Sequence, residues 1–490
     1  MNRTPPRSLA LVLLPVLLFL CAFSCAVPLA PGYRILKESR EVRFVAGQPP
    51  ELHIRGSFKL ENTGNSDLAF VDANFPDEKA FGRKDLRVEV DGREIVPANP
   101  PAEYQQDQPS NTLRIPLDPP WARKRTLELV IEYNLSSPQD PGSRITLGEN
   151  DFHLGSRGWF VLLQPPKHFL SPFPRRPSVT PYVVRVPADF LVLARGTPNG
   201  RKKDGGEIEY RFVLREDDLS PYVVAGRYVV SPTDRNSKSA AFWTVQPLKD
   251  DPGPAADEIA KAWKILETDF GPLDRNIAAP HVVESPELRE HFPGDAGPAA
   301  TAFPGGVLVN PAALALGIGS DRFHEITLHT LAHNWFGDEM YPAADAVLGM
   351  GEGLPEYATV VIDEALSGPA ARRRRIVEYL REYDEAQAGA SEKPLGVTLL
   401  NDPPGQRRIA NAKAALFFAA LEDACGETPM RSGLRQMVTL LRGQEASYDS
   451  LRSALEQSSG KNLGELFHVW LNDKGIPAGF RDRYQTGGEN

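Results

Sequence analysis

The sequence predicts an α+β protein of two domains, an all-β antiparallel sandwich or saddle followed by a mainly α-helical domain. Three observations support this prediction. The chain has 490 residues, more than one hydrophobic core usually holds. Residues 34–232 show the period-two alternation of half-buried strands, whereas residues 253–480 show helical periodicity. The 45 prolines and 40 glycines are typical of a chain with many turns and strand ends.

Residues 1–25 are typical of an export signal. Arg3 and Arg7 precede an apolar run from Leu9 to Leu20, which is shorter than the roughly 20 residues of a membrane-spanning helix. Small residues follow, and Cys25 resembles the acylated cysteine of the bacterial lipoprotein cleavage pattern. We therefore expect an exported protein that is either secreted or held to the bacterial cell envelope by a lipid on Cys25. A retained N-terminal anchor is the alternative.

Alternating apolar residues predict the β-rich domain, residues 34–232. Clusters of proline, glycine, asparagine and aspartate separate the strands, as expected for an antiparallel sandwich. No catalytic set of residues stands out in this half of the chain. Residues 233–252 are polar and interrupted by prolines, which predicts a linker. The predicted strands cover residues 52–60, 86–90, 127–133 and 208–214, with one more within 222–230.

Composition and charge exclude several functional classes. The 64 acidic and 55 basic residues give a formal net charge of −9, so nothing supports a nucleic-acid-binding surface. Only three cysteines are present, and two of them lie in residues 1–25. This excludes a disulfide framework, a zinc ribbon and an iron–sulfur site. The third, Cys425, lies in an apolar segment and is expected to be buried.

Two histidines lie four residues apart in a helix predicted over residues 321–336. His329 and His333 differ by about 40° around the helix axis, so their imidazoles face one direction and can share a zinc ion. Glu352 follows after eighteen intervening residues, at the start of the next predicted helix, 352–366. It can supply an oxygen ligand and leave one position of the metal open. Further helices are predicted over 257–270 and up to residue 383.

Residues 329–357 resemble the zinc signature of the aminopeptidase N (membrane alanyl aminopeptidase) family of metallopeptidases, which are of the gluzincin type. That family has the pattern His-Glu-x-x-His, eighteen residues, and Glu; the flanking Trp335-Phe336-Gly337 also fits it. The resemblance extends to Phe270-Gly271 and to residues 467–477. It implies a thermolysin-like fold for residues 253–480 and one Zn²⁺ per chain. The ligands it implies are His329, His333 and Glu352.

Three positions that carry chemistry in this family differ here. Thr330 stands where the family has its catalytic glutamate, and a threonine hydroxyl is no general base near neutral pH. Residues 301–305 resemble the family's substrate strand, which ends here at Gly305. This alignment places Ala302 where a glutamate binds the substrate's amino group. A similar alignment places Asn411 where the family has the tyrosine that hydrogen-bonds the oxyanion.

These features predict a zinc-binding, catalytically impaired relative of the family whose cleft binds a peptide or protein. One alternative is an active zinc-dependent peptidase in which Glu325, Glu356 or the substrate supplies the base. A second alternative is a metal-free scaffold in which His329 and His333 only pack. No nucleic-acid partner is expected, and membrane contact is expected only through a lipid on Cys25. Further candidates for an oxyanion donor are Tyr357, Tyr379 and Tyr448.

Overall fold

The computed structural model describes most of residues 32–485. The predicted export signal, with Cys25, lies outside the described residues, and so does part of the predicted linker. Within 32–485, the segments not described are 77–81, 100–110, 137–144, 156–158, 164–176, 216–220, 232–238, 274–278, 289–298 and 401.

The N-terminal β region runs from residue 33 to residue 226. Its strands are β1 (Tyr33–Val45), β2 (Glu51–Asn62), β3 (Leu68–Asn74), β4 (Arg83–Val90), β5 (Arg93–Ile95), β6 (Thr112–Trp121), β7 (Thr126–Leu135), β8 (Ile145–Leu147), β9 (Asp151–Leu154), β10 (Leu162–Leu163), β11 (Val179–Pro187), β12 (Leu191–Ala194), β13 (Thr197–Asp204), β14 (Glu207–Arg215) and β15 (Val223–Gly226).

These strands form an eight-stranded sheet, ordered β13-β14-β11-β1-β2-β7-β4-β5, together with the smaller sheets β10-β3-β6 and β12-β15-β9-β8. The pairs are antiparallel apart from β1 with β11. Every second residue of β2 is buried, among them Leu52 and Ile54, as expected for a strand with one face on a core. The predicted antiparallel β region is therefore confirmed.

A second sheet follows, ordered β16-β17-β18-β20-β19, with β19 at an edge. Strand β17 falls inside the predicted linker 233–252, so this part of the chain belongs to a sheet instead. These strands span only three or four residues, and β20 is buried throughout, so their sequences show no clear alternation. The strands are β16 (Val229–Ser231), β17 (Ala241–Thr244), β18 (His281–Glu284), β19 (Ala300–Phe303) and β20 (Gly306–Val309).

Helices make up most of the chain from residue 253 onward, which confirms the predicted helical domain. A π-helical turn, Val347–Glu352, precedes α4, and a short parallel pair joins β21 (Tyr341–Pro342) to β22 (Glu445–Ala446). The helices are α1 (Gly253–Phe270), α2 (Pro311–Leu314), α3 (Asp321–Ala332), α4 (Gly353–Ser367), α5 (Pro369–Gly389), α6 (Pro404–Cys425), α7 (Glu427–Leu440), α8 (Tyr448–Ser459), α9 (Gly464–Asn472) and α10 (Ala478–Gln485), with 3₁₀ turns at Ala344–Ala346 and Leu395–Val397.

Helix α6 lies at the centre of the helical core, with buried residues on nearly every face, and packs against α4 and α5. Cys425, at its end, is buried as expected. A separate apolar cluster joins the helical domain to the β region, where Tyr222, just before β15, and Val224 of β15 meet Phe303 and Leu308 of β19 and β20. Among the described residues, no helix is both long enough and apolar enough to cross a membrane.

Candidate metal centre

Helix α3 orients the two histidines. Ser320 caps its first turn by accepting a hydrogen bond from the Phe323 N–H (3.2 Å). The helix ends at Ala332 rather than at residue 336 as predicted, but His333 keeps helical backbone angles (φ −61°, ψ −16°) as the C-cap. The four-residue spacing therefore still brings His329 and His333 onto one face.

Asn334 explains both the early end of α3 and the position of the neighbouring β-hairpin. Its side-chain amide donates to the carbonyl oxygens of Leu331 (3.0 Å) and Gly306 (3.1 Å). Its Oδ1 accepts a hydrogen bond from the Gly305 N–H (2.9 Å). The turn between β19 and β20 is thus fixed to the end of α3, so edge strand β19, with Ala302, lies against the histidine-bearing helix.

Glu352 is the last residue of the π-helical turn and the N-cap of α4. Close packing holds this turn in place. A Cβ on Gly353 would lie 2.6 Å from Ala414 Cβ, so α4 approaches α6 more closely than any larger residue allows. On the other side, the Tyr448 hydroxyl occupies the space where a side chain on Gly349 would be. Glycines at these points let the ligand-bearing turn fit between α6 and α8.

The three expected ligands come together, although the ligand set is spread over 24 residues of sequence. His329 Nε2 lies 3.1 Å from His333 Nε2 and 3.3 Å from Glu352 Oε2, and His333 Nε2 lies 3.7 Å from the same oxygen. Tetrahedral zinc with ligand bonds of about 2.0–2.1 Å separates its donors by about 3.3 Å. The donor set and its spacing therefore fit a zinc ion, and these residues could hold one.

A second carboxylate supports the first histidine from behind. Glu356 Oε1 lies 3.1 Å from His329 Nδ1, and its other oxygen accepts a hydrogen bond from the Tyr379 hydroxyl of α5 (2.5 Å). His333 Nδ1 faces the carbonyl oxygen of Phe336 at 3.3 Å. Acceptors at both Nδ1 atoms favour the tautomer that leaves Nε2 available to a metal. Sequence reasoning missed Tyr379 in this role because it lies on a different helix, 23 residues from Glu356.

The carboxylates Glu352 and Glu356 also control the charge of His329. Burial favours neutral His329, but the adjoining Glu356 and Glu352 outweigh it and raise the pKa of His329 to about 10. Burial favours protonated Glu356, yet the His329 charge and the Tyr379 hydrogen bond lower the pKa of Glu356 overall. A metal ion takes neutral imidazole, so zinc would replace the proton that His329 holds in its absence.

The two carboxylates considered as substitute bases both have partners within the protein. Glu325 forms ion pairs with Arg375 (2.8 Å) and Arg322 (3.2 Å). Glu356 is held between His329 and Tyr379, as described above. Thr330 is 4% exposed and lies between the two histidines in sequence. Of these three residues, none therefore presents a free carboxylate to a bound ligand.

The candidate oxyanion donors lie in different surroundings in the structure. The Tyr357 hydroxyl donates to Glu422 (2.7 Å), and the Tyr379 hydroxyl is occupied by Glu356. The Tyr448 hydroxyl is buried against Gly349. Asn411 lies on α6 one turn before Ala414, hence next to the ligand-bearing turn, and its Oδ1 is buried without a partner among the described residues.

The fold and the His-His-Glu set together resemble those of the zinc metallopeptidases. Residues 300–470 match the Peptidase family M1 domain, so the chain is related to the M1 metallopeptidases. Over 161 residues it is 25% identical to aminopeptidase N of Lactobacillus delbrueckii subsp. lactis. That match covers 31% of this chain and 19% of the relative, so the chain spans about a fifth of the relative's length.

Solved structures extend the likeness to nearly the whole chain. The M1 zinc metallopeptidase of Deinococcus radiodurans has a TM-score of 0.61 and 16% identity, covering 91% of this chain and 95% of its own. A mutant of it bound to a Tyr-Ser-Ala substrate has a TM-score of 0.60 and 17% identity, with the same coverage. Legionella pneumophila aminopeptidase A in complex with aspartic acid has a TM-score of 0.59 and 15% identity, and the match covers 92% of this chain and 50% of that protein. At these identities the likeness shows a shared fold.

Proposed function

We propose that this chain is an exported, zinc-binding M1-type protein that is catalytically impaired and binds a peptide or protein in its cleft. One observation carries the proposal. The ligands His329, His333 and Glu352 keep a zinc-compatible geometry, with Glu356 in support, while Thr330 places a hydroxyl where the related family has a carboxylate. Metal binding is therefore supported by the geometry, and proton transfer is not.

When bound, zinc would supply Lewis acidity that polarises a carbonyl and activates water. The chain's own residues have a different task. His329, His333 and Glu352 would hold the ion, and Glu356 would keep His329 in the required orientation. The Thr330 hydroxyl can hydrogen-bond a ligand but accepts no proton near neutral pH. Because general acid–base catalysis is typically worth about 10²–10⁴ in rate, hydrolysis is expected to be severely slowed.

The neighbouring strand supports peptide binding. Strand β19 lies at the edge of its sheet and packs against α3, so an extended peptide can add to it through main-chain hydrogen bonds. Ala302, in this strand, carries no charge with which to bind a free amino group. The cleft is therefore not expected to select peptides by their N-terminus.

Export is proposed from the sequence of residues 1–25 alone, with either secretion or a lipid on Cys25 as the outcome. Mass spectrometry of the protein purified from its membrane and soluble fractions distinguishes the two. A lipid-modified N-terminal Cys25 supports the lipoprotein form, and an unmodified mature N-terminus supports secretion. An intact chain that still begins at Met1 would contradict export by a cleaved signal.

The main test combines metal analysis with activity. We expect about one zinc per purified chain, and negligible hydrolysis of mixed aminoacyl and peptide substrates by the wild type. Thr330→Glu restores a carboxylate at the family's catalytic position and is expected to gain measurable hydrolysis. Thr330→Gln is the matched control, since it has a similar size but cannot accept the proton.

Two results would contradict the proposal. Robust wild-type hydrolysis that disappears in His333→Ala would identify an active peptidase, and Glu356→Gln would then test the base. Absence of zinc from the purified protein, unchanged after zinc is added, would favour the metal-free scaffold.

A further inference from the structure

Arg195, directly after β12, is a buried cation that the metal centre does not use. The residue is only 2% exposed. Its Nε and Nη1 make no hydrogen bond with any described residue, and no carboxylate of the described chain forms an ion pair with it. Arginine does not lose its proton in proteins, so this charge persists at the buried position.

The strand register shows which way Arg195 points. Strands β12 and β15 pair antiparallel with Leu193 opposite Val224 and Ala194 opposite Val223. The next position places Arg195 opposite Tyr222, where the Arg195 N–H still donates to the Tyr222 carbonyl oxygen (3.3 Å). Residues opposite one another share a face of the sheet. Arg195 therefore lies on the face of Tyr222 and Val224, which packs against the helical domain.

On that face the Tyr222 ring lies between Arg195 and the edge strand of the cleft. Its guanidinium carbon is 5.9 Å from the centre of the Tyr222 ring, and that ring is 5.6 Å from the ring of Phe303. Phe303 is the last residue of β19 and follows Ala302 directly. Two ring contacts thus connect the buried cation to the strand along which we propose that a peptide binds.

A buried guanidinium without a counter-charge is costly, because desolvation is not repaid by an ion pair. A bound anion would offset this cost, because arginine forms strong charge-assisted hydrogen bonds with carboxylates and phosphates. The strands β12, β15, β9 and β8 themselves contain no lysine or arginine, and Arg227, which directly follows β15, is paired with Asp189. A single positive charge matches a single negative charge, which favours a carboxylate over a doubly charged phosphate.

We propose that Arg195 binds a carboxylate group of the ligand that occupies the cleft along β19. The inference rests on the proposed peptide-binding function for the kind of ligand, and on the buried cation for its charge. The ligand preferred at this strand would then carry negative rather than positive charge. Ala302 offers no carboxylate to bind an amino group, whereas Arg195 offers a cation to bind a carboxylate. The expected ligand is a peptide with an acidic residue.

The test uses the zinc-loaded full chain and matched peptides. Amidated tripeptides of alanine with glutamate at each position in turn are compared with the same peptides containing glutamine, by isothermal titration calorimetry. We expect at least one glutamate peptide to bind about tenfold more tightly than its glutamine counterpart, as for a charge-assisted hydrogen bond. Arg195→Met should abolish the difference, and Arg195→Lys should retain part of it. Arg227→Met, which removes an arginine 41% exposed at the other end of β15, should leave it unchanged.

Acetate and inorganic phosphate, titrated separately at matched ionic strength, distinguish the inference from the proposed function. Arg195-dependent binding of acetate without binding of any peptide supports the carboxylate site and removes the peptide-binding proposal. Peptide binding with no preference for glutamate leaves the proposed function standing and overturns the inference. Phosphate bound more tightly than acetate through Arg195 also overturns the carboxylate assignment.

The ligand-free protein gives an independent check. Because Arg195→Met removes an unpaired buried charge, its Tm should equal or exceed that of the wild type without ligand. A clear loss of Tm in the ligand-free variant would show that Arg195 is paired within the protein, which overturns the inference.

Discussion

At the scale of single residues, Glu356 connects the metal ligands to the rest of the helical domain. It contacts His329 through one oxygen and receives the Tyr379 hydroxyl on the other. This arrangement leaves Glu356 committed to orienting an imidazole, so it is poorly placed to act as a base. These contacts favour a positioning role for the residue that sequence reasoning considered as a substitute base.

Removing the charge of Glu356 should weaken zinc binding while the fold remains. We expect Glu356→Gln to lower zinc affinity about 10- to 100-fold, because the amide no longer favours the required His329 tautomer. Tyr379→Phe should have a smaller effect in the same direction. Competition with a chelator of known affinity measures both. Glu325→Gln is the control, since Glu325 pairs with Arg375 and touches no ligand; equal losses in all three variants would contradict the assignment.

At the scale of secondary-structure elements, the π-helical turn before α4 depends on close packing of helices. Gly353 follows Glu352 directly and faces Ala414 and Phe418 of α6. The distance between the two helices at this point is therefore set by the absence of a side chain. Any residue larger than glycine here must separate α4 from α6 or displace the turn that carries the third ligand.

Gly353→Ala should reduce stability and zinc affinity together. The added methyl group would lie 2.6 Å from Ala414 Cβ and 3.2 Å from the Ala414 carbonyl carbon, and overpacking of this kind typically costs about 1–3 kcal/mol. Thermal unfolding and zinc titration measure the two effects. Gly389→Ala, in α5 with open space around it, should leave zinc affinity unchanged and raise stability by up to about 1 kcal/mol. Unchanged zinc binding in Gly353→Ala would show that the turn tolerates displacement.

At the scale of the whole molecule, a polar contact joins the β region to the second sheet. Ser285, after β18, donates to Asp151 of β9 (3.2 Å) and lies 3.2 Å from the Thr146 hydroxyl. Burial is the main reason that the pKa of Asp151 rises to about 7; the Ser285 hydrogen bond opposes the rise, and nearby Glu287 and Glu284 add to it. Asp151 is 2% exposed, so its charged form is costly at this junction.

Stability should therefore decline as pH rises. The folded state holds the Asp151 proton up to about pH 7, whereas the unfolded chain releases it near pH 4. Asp151 thus destabilises the fold progressively between these values, and the penalty is complete above pH 7. Asp151→Asn should raise Tm more at pH 8 than at pH 5, measured by calorimetry. Asp189→Asn, at an exposed carboxylate, should show no such difference; equal gains at both pH values for Asp151→Asn would contradict the raised pKa.

Much of the architecture could be predicted because it is encoded locally. The alternation of β2 and the apolar periodicity of α1, α3 and α4 follow from neighbours within a few residues, and the structure contains each of these elements. Boundaries were less predictable. Helix α3 ends four residues early because Asn334 bonds to Leu331 and to Gly306 of a distant hairpin. Strand β17 escaped prediction because it is short and its partner β18 follows almost forty residues later.

By itself, the sequence predicted the candidate ligand set and the threonine at the position where the related family has its base. The spacing of His329 and His333 on one helix places both imidazoles on one face, and Thr330 cannot be a general base in any fold. Only the tertiary structure decided that Glu356 contacts His329 and that Arg195 lies buried against Tyr222. The physical reason is the range of the contacts. Helical and strand periodicity reflects the placement of residues close together in sequence. The surroundings of Glu356 and Arg195 arise instead where segments distant in sequence pack together.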